Sequence, residues 1–185
     1  MTPRADEGRC ALVTGASGGI GLELARVLAA HRFSLVLVAR REEKLQDLAR
    51  TLKADHGTEV MVIAADLADP AAPRMVFDRL ADAGLQIDLL VNNAGLLREG
   101  RFSTMSLDEQ LQLLQVNVVA MTALSRLFVA PMVARNHGRI LNVASVAAFV
   151  PVANLAVYAA SKAYVLSLGE ALCQELSGSK VTVTT

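Results

Sequence analysis

CALVTGASGGIGLELARVLAA, residues 10–30, decides how the chain is read. Its first five residues form a short apolar run that stops at Gly15. Beyond the glycines, Ile20, Leu24, Val27 and Leu28 recur on one side of a helix. Glycine at 15, 19 and 21 lets the backbone turn tightly, lets a phosphate reach the helix N-terminus, and lets the helix lie close on the strand. A glycine-rich loop that binds nothing is the alternative, and the correct flanking strand and helix weigh against it.

Outward from this unit the pattern repeats. Apolar runs at 35–39, 60–64, 89–91, 139–143 and 181–184 read as strands two to six. Helical spacing fills the gaps: 42–54 with Leu45, Leu48 and Leu52 inward, then a helix to Ala83 with Asp69 as N-cap and Pro70 as its first residue. A long helix runs from the capping box Ser106-x-x-Glu109 to about Val133, and another to about Leu176. Strands alternating with helices six times predict an α/β fold, a doubly wound parallel sheet of the Rossmann type in one domain. Composition agrees. The chain is 53% hydrophobic but only 4% aromatic, with no tryptophan, as suits aliphatic strands buried between helices.

Eighteen basic residues balance eighteen acidic ones, and the longest basic cluster is Arg40-Arg41. This argues against nucleic acid or an anionic membrane as partner. Residues 140–161 carry no charge and are long enough to span a bilayer, but Asn142, Ser145, Asn154 and Pro151 fit a strand, loop and helix start better. The polar N-terminal segment MTPRADEGRC predicts a cytoplasmic protein. Cys10 and Cys173 are expected to be reduced and structural, and the spacing of His31, His56 and His137 predicts no metal site.

Three places carry candidate chemistry. Arg40-Arg41 ends strand two, with no acidic residue before Glu42; arginine there suits the 2′-phosphate of NADP, whereas solvated arginines at a helix start are the plain alternative. Asp66, past strand three, is either a partner for an adenine amino group or a turn aspartate. Ser145 lies past strand five, and Tyr158 and Lys162 share a helix face four residues apart. A lysine cation beside a tyrosine favours the phenolate and makes the hydroxyl usable as an acid or base, although Tyr-x-x-x-Lys also occurs by chance. Asn117, in an apolar stretch of the long helix, needs partners for its amide and is by default structural.

Taken together these motifs resemble the classical short-chain dehydrogenases/reductases over essentially the whole chain. Thr14-Gly15-x-x-x-Gly19-x-Gly21 is similar to the family's cofactor turn, Asn92-Asn93-Ala94-Gly95 to its strand-four motif, and Asn117, Ser145, Tyr158 and Lys162 to its catalytic tetrad. The resemblance implies an NADP(H)-dependent interconversion of an alcohol and a ketone or aldehyde. Tyr158 would give the proton, Ser145 would hold the carbonyl oxygen, Lys162 would assist Tyr158 and bind the nicotinamide ribose, and Asn117 would seat a water. It assigns the cofactor to Thr14, Gly15, Ser17, Gly19, Ile20, Gly21, Arg40, Asp66, Leu67, Asn93, Ala94 and Gly95, with Tyr158 and Lys162. It also implies a small-molecule carbonyl or alcohol substrate and a homodimer or homotetramer, for which Ala123, Leu127, Leu166 and Ala171 either supply an apolar face or instead cover the sheet. Leu96, Phe102, Phe149 and Val152 suggest an apolar substrate pocket, with packing within the loops as the plain alternative. The fold is expected to be C-terminally incomplete after strand six, since the family continues into a Pro-Gly segment, a substrate lid and a seventh strand. A nucleotide-binding module without turnover is the competing reading.

Overall fold

The computed structural model describes residues 8–185, so most of the polar N-terminal segment lies outside the described residues. Six parallel strands form one sheet in the order β3-β2-β1-β4-β5-β6. They are β1 (Cys10–Thr14), β2 (Ser34–Ala39), β3 (Val60–Ala64), β4 (Leu89–Asn92), β5 (Gly138–Asn142) and β6 (Val181–Thr184). The order reverses between β1 and β4, which opens a crevice at the carboxyl ends of those two strands.

Alternation along each strand sends its side chains to two cores. On one face Ala11, Val13, Leu35 and Leu37 pack beneath α1 (Gly19–Ala30) and α2 (Glu42–His56), with Leu45, Leu48 and Leu52 buried as predicted. On the other, Leu12, Val36, Ile63, Leu90 and Ile140 meet α3 (Ala72–Asp82), α5 (Met121–Ala134) and the far end of α6 (Ala156–Glu175). The uncharged stretch at 140–161 resolves into the end of β5, a loop and the start of α6. Among the described residues, the one helix long and apolar enough to cross a membrane is 107–134. Its Leu113, Val116, Ala120, Leu124, Phe128 and Met132 are buried in the protein.

Three expectations are corrected. First, α3 starts at Ala72 with Ala71 at its N-cap, not at Pro70. Asp66 and Asp69 each accept a backbone N–H two residues on, from Ala68 (3.0 Å) and Ala71 (2.9 Å), so their side chains hold turns that delay the helix. Second, the long helix is not uniform: α4 (Leu107–Leu114) widens into a π-helical segment, Gln115–Ala120, before α5. The Ser106 cap is as expected, with its hydroxyl accepting from Glu109 N at 3.2 Å. Third, Cys173 is exposed rather than packed, while Cys10 is buried. Burial, and after it the nearby Asp88 charge, pushes the Cys10 thiol up to about 12, so it stays protonated and inert.

Candidate functional site

The glycine-rich turn is held open by its neighbours. Gly15 has a φ of 69°, a left-handed conformation that glycine adopts without strain. Thr14 Oγ1 donates to Val91 O (3.1 Å) and accepts from Asn93 N and Ala94 N (3.0 Å each), which ties β1 to the end of β4. Asn93 Nδ2 in turn donates to Thr14 O at 2.9 Å. Gly21 passes so close beneath that an added Cβ would lie 2.4 Å from Asn93 Nδ2 and 2.5 Å from Gly15 O. Thr14, Gly21 and Asn93 therefore shape the turn, and other residues face the space above it.

A cleft of about 310 Å³ opens along this turn. Of the residues assigned to cofactor, Gly15, Ser17, Gly19, Arg40, Asp66, Leu67, Ala94 and Gly95 line it; Ile20 does not and is 61% exposed. The α1 N-terminus beside the cleft carries no acidic residue in its first turn, so its free N–H groups and the helix dipole favour an anion. Arg41 occupies the position next to Arg40 and completes the rim. Its guanidinium crosses to the turn and donates to Ser17 Oγ (3.2 Å) and Ser17 O (3.4 Å). The sequence reading favoured Arg40, because alternation at a strand end does not show that Arg41, as the N-cap of α2, swings toward the glycines. Asp66 spends one carboxylate oxygen on its turn and lines the cleft, so both of its readings survive.

At the Gly95 end of the cleft stand two of the four candidate catalytic residues. A Cβ at Gly95 would sit 3.5 Å from Asn117 Oδ1 and 3.6 Å from Lys162 Nζ. Lys162 is buried (6% exposed); its Nζ donates to Val143 O at 2.8 Å and lies 5.9 Å from the Tyr158 ring centre. Desolvation lowers its pKa below the ordinary lysine value. Ser145 stands just past β5 in an extended conformation, and its Oγ accepts from Ala147 N (3.2 Å), which leaves the hydroxyl proton for another acceptor. Tyr158, in the first turn of α6, is half-buried, and its hydroxyl has no partner among the described residues. Beneath them the ends of β4 and β5 are locked together. Asn92 Nδ2 donates to Asn142 Oδ1 (3.0 Å) and to Ser125 Oγ (2.9 Å), with all three residues buried.

The glycine-rich cleft at the reversal of strand order thus ends at Gly95, beside Asn117 and Lys162. The family model described as short chain dehydrogenase matches residues 9–185. The chain belongs to the short-chain dehydrogenase family. It is similar to nodulation protein G of Rhizobium sp. (strain N33), at 40% identity over 95% of this chain and 70% of that protein. Among solved structures, a short-chain dehydrogenase from Sphingobium yanoikuyae in complex with NADPH matches with a TM-score of 0.91 and 36% identity, covering 96% of this chain and 69% of the other. The bulky-bulky ketone specific alcohol dehydrogenase from Comamonas testosteroni also matches with a TM-score of 0.91, at 33% identity, covering 96% and 71% respectively.

In this short-chain dehydrogenase, an oxidoreductase by family, the side chain of Asn117 does something the sequence did not show. Its Oδ1 accepts from Leu96 N (2.7 Å), and its Nδ2 donates to Leu96 O (2.9 Å) and to Ser161 Oγ (3.0 Å). Both amide protons are used, so the side chain clamps the Leu96 backbone to α6. The other tyrosine, Tyr164, hydrogen-bonds Thr122 Oγ1 at 2.9 Å on the surface between α5 and α6. Replacing it by phenylalanine is expected to leave turnover near wild type and to change stability by about 0.5 kcal/mol or less, measured by thermal unfolding and steady-state rates.

Proposed function

We propose that this dehydrogenase interconverts an alcohol and a ketone or aldehyde with NADP(H). The observation that carries the reading is where the cleft ends: Gly95 lines it, and a Cβ there would lie 3.5 Å from Asn117 Oδ1 and 3.6 Å from Lys162 Nζ, so a dinucleotide seated on the glycine turn would end near the Lys162 that neighbours Tyr158. The residues fit the cofactor. Gly15, Ser17 and Gly19 with the α1 N-terminus suit the pyrophosphate, Arg40 and Arg41 suit a 2′-phosphate, and Asp66 and Leu67 line the cleft where an adenine would lie.

NADPH, when bound, supplies the hydride for the carbonyl carbon. Tyr158 gives its hydroxyl proton to the oxygen on which charge develops. Ser145, with its free proton, hydrogen-bonds the same oxygen and strengthens that bond as charge builds. The Lys162 cation favours the phenolate that Tyr158 leaves behind, and its burial keeps water from screening that effect.

An apolar cleft of about 530 Å³ runs along Ala147, Phe149, Val150, Val152 and the Ala156, Ala159 and Ala163 side of α6, with no charged residue in its wall. None of Ser145, Tyr158 and Lys162 lines it, since these alanines lie on a side of α6 turned away from Tyr158, so it is not a substrate pocket beside the proton donor. Of the residues first assigned to such a pocket, Phe149 and Val152 line this cleft, Leu96 lines the dinucleotide cleft, and Phe102 is 67% exposed.

The cofactor assignment is tested by titrating NADPH and NADH. NADPH is expected to bind more tightly, and Arg41→Ala and Arg40→Ala are each expected to weaken it by roughly ten- to a hundredfold while sparing NADH. A charged hydrogen bond contributes about 1.5–3 kcal/mol. Equal affinities of the wild-type protein for the two cofactors would sink the assignment.

We also propose a homodimer or homotetramer. Of the face expected, Leu127 packs against the core, Ala123 and Leu166 are half-buried and Ala171 is exposed. Leu107, Leu111 and Val119 are exposed along the α4 side, and Tyr164 on α6. Sedimentation at tens of micromolar is expected to show an oligomer that Val119→Asp weakens, and a wild-type monomer would refute it.

A further inference from the structure

Ser161 joins the two halves of the site, yet it lies outside the tetrad. Its Oγ donates to Tyr158 O (2.7 Å) and accepts from Asn117 Nδ2 (3.0 Å), and the two side chains involved are 1% and 2% exposed. The donor half is ordinary, since a helical serine commonly bonds a carbonyl one turn back. The acceptor half is not a local helix contact. It spans 44 residues and takes the second amide proton of Asn117, whose other two bonds hold the Leu96 backbone. The result is a partly buried chain of hydrogen bonds from Leu96, in the wall of the dinucleotide cleft, through Asn117 and Ser161 to the peptide that carries Tyr158. Asn117 reaches it from the π-helical segment, a local widening of the kind found at functional sites.

We infer that Ser161 is a positioning residue for the reaction: through Asn117 its hydroxyl sets the spacing between the Ala94–Leu96 wall, against which the nicotinamide end would rest, and the turn of α6 that presents Tyr158. The inference rests on the oxidoreductase reading proposed above. Removing the hydroxyl leaves one buried proton of Asn117 without an acceptor and frees its amide to turn. The clamp on Leu96 then loosens, and the proton donor and the cofactor wall drift relative to each other. Small displacements of this kind are costly in rate, on the order of a hundredfold for about 1 Å.

The test compares Ser161→Ala, Asn117→Ala and the double variant by steady-state reduction of an apolar ketone, NADPH titration, and hydrogen exchange at the Leu96 amide. Ser161→Ala is expected to lower kcat roughly 10- to 100-fold with NADPH affinity nearly unchanged, and to speed exchange at Leu96. The double variant should be little worse than Asn117→Ala alone, because the hydroxyl acts through that amide. Wild-type kcat in Ser161→Ala, losses that multiply in the double variant, or unaltered exchange at Leu96 would each overturn the inference. A wild-type chain that binds NADPH but reduces nothing would defeat the oxidoreductase reading, and the Leu96 exchange rate would still decide whether Ser161 holds the clamp. Should Ser161→Ala not fold, Ser161→Cys, similar in size with a weaker acceptor, is expected to show the same changes to a smaller degree, and unchanged kcat and exchange in it would overturn the inference equally.

Discussion

Tyr158→Phe is expected to lose turnover by about 10²–10⁴-fold, the range for removing a positioned general acid, while binding NADPH as well as the wild type. The ring is half-buried at the start of α6 and would still pack there; its hydroxyl makes no hydrogen bond to the described residues, so its removal breaks nothing in the fold. Only the proton for the developing alkoxide disappears. The loss should fall on kcat, because the interaction is made mainly in the transition state. Rates with a generic apolar ketone, beside cofactor titration and a thermal melt, separate these terms. An equal loss in Tyr164→Phe would mean that the acid has been assigned to the wrong tyrosine.

The second large effect belongs to Gly21→Ala. The new methyl would meet Asn93 Nδ2 at 2.4 Å and the Gly15 carbonyl oxygen at 2.5 Å. Both partners are fixed: Asn93 is bonded to Thr14 O, and Gly15 N donates to Val38 O at 2.8 Å. Relief requires α1 to lift off β1, which costs about 1–3 kcal/mol as for other overpacked sites. For a protein of this size that corresponds to roughly 2–12 °C in Tm. NADPH affinity should collapse with it, because lifting α1 carries its N-terminal N–H groups away from the phosphate position. Gly18→Ala is the control, since its Cβ would find only Arg41 Nη2, 3.7 Å away, and its φ of 170° is extended backbone. If the two variants melted together and bound NADPH alike, the close approach at Gly21 would not be what shapes the turn.

Most of the fold was legible because its signals are local. β1 stopped at Gly15 and β4 at the Asn92-Asn93 pair, α2 carried leucines at helical spacing, and Ser106 capped its helix as its capping box predicts. The placement of the candidate site was legible for a related reason: Tyr158 and Lys162 share one helix face, and Ser145 comes just after a strand end. The features that stayed hidden depend on distant partners. Asn117 reads as an amide in need of bonds, but its main partner is the Leu96 backbone, 21 residues away, and no pattern in either segment names the other. Ser161 reads as helix filler until Asn117 is placed against it. The π-helical segment adds a residue to one turn and shifts the phase of α5 beyond it, a physical reason why Leu127, open to either placement, packs inward. Arg40 was favoured over Arg41 because direction at a strand end depends on the N-cap geometry of the next helix, which the sequence pattern does not show.

Transfer of label from NADPH to product tests the central claim most directly. The protein is incubated with NADPH deuterated at C4, on one face and then the other, together with an uncharged apolar ketone, and the alcohol formed is analysed by mass spectrometry. The account predicts one deuterium on the carbinol carbon from one face only, with formation of the labelled alcohol nearly abolished in Tyr158→Phe. NADPH that binds in the glycine-turn cleft while no carbonyl compound tried yields labelled alcohol would contradict it, and would mark the chain as a nucleotide-binding module without turnover.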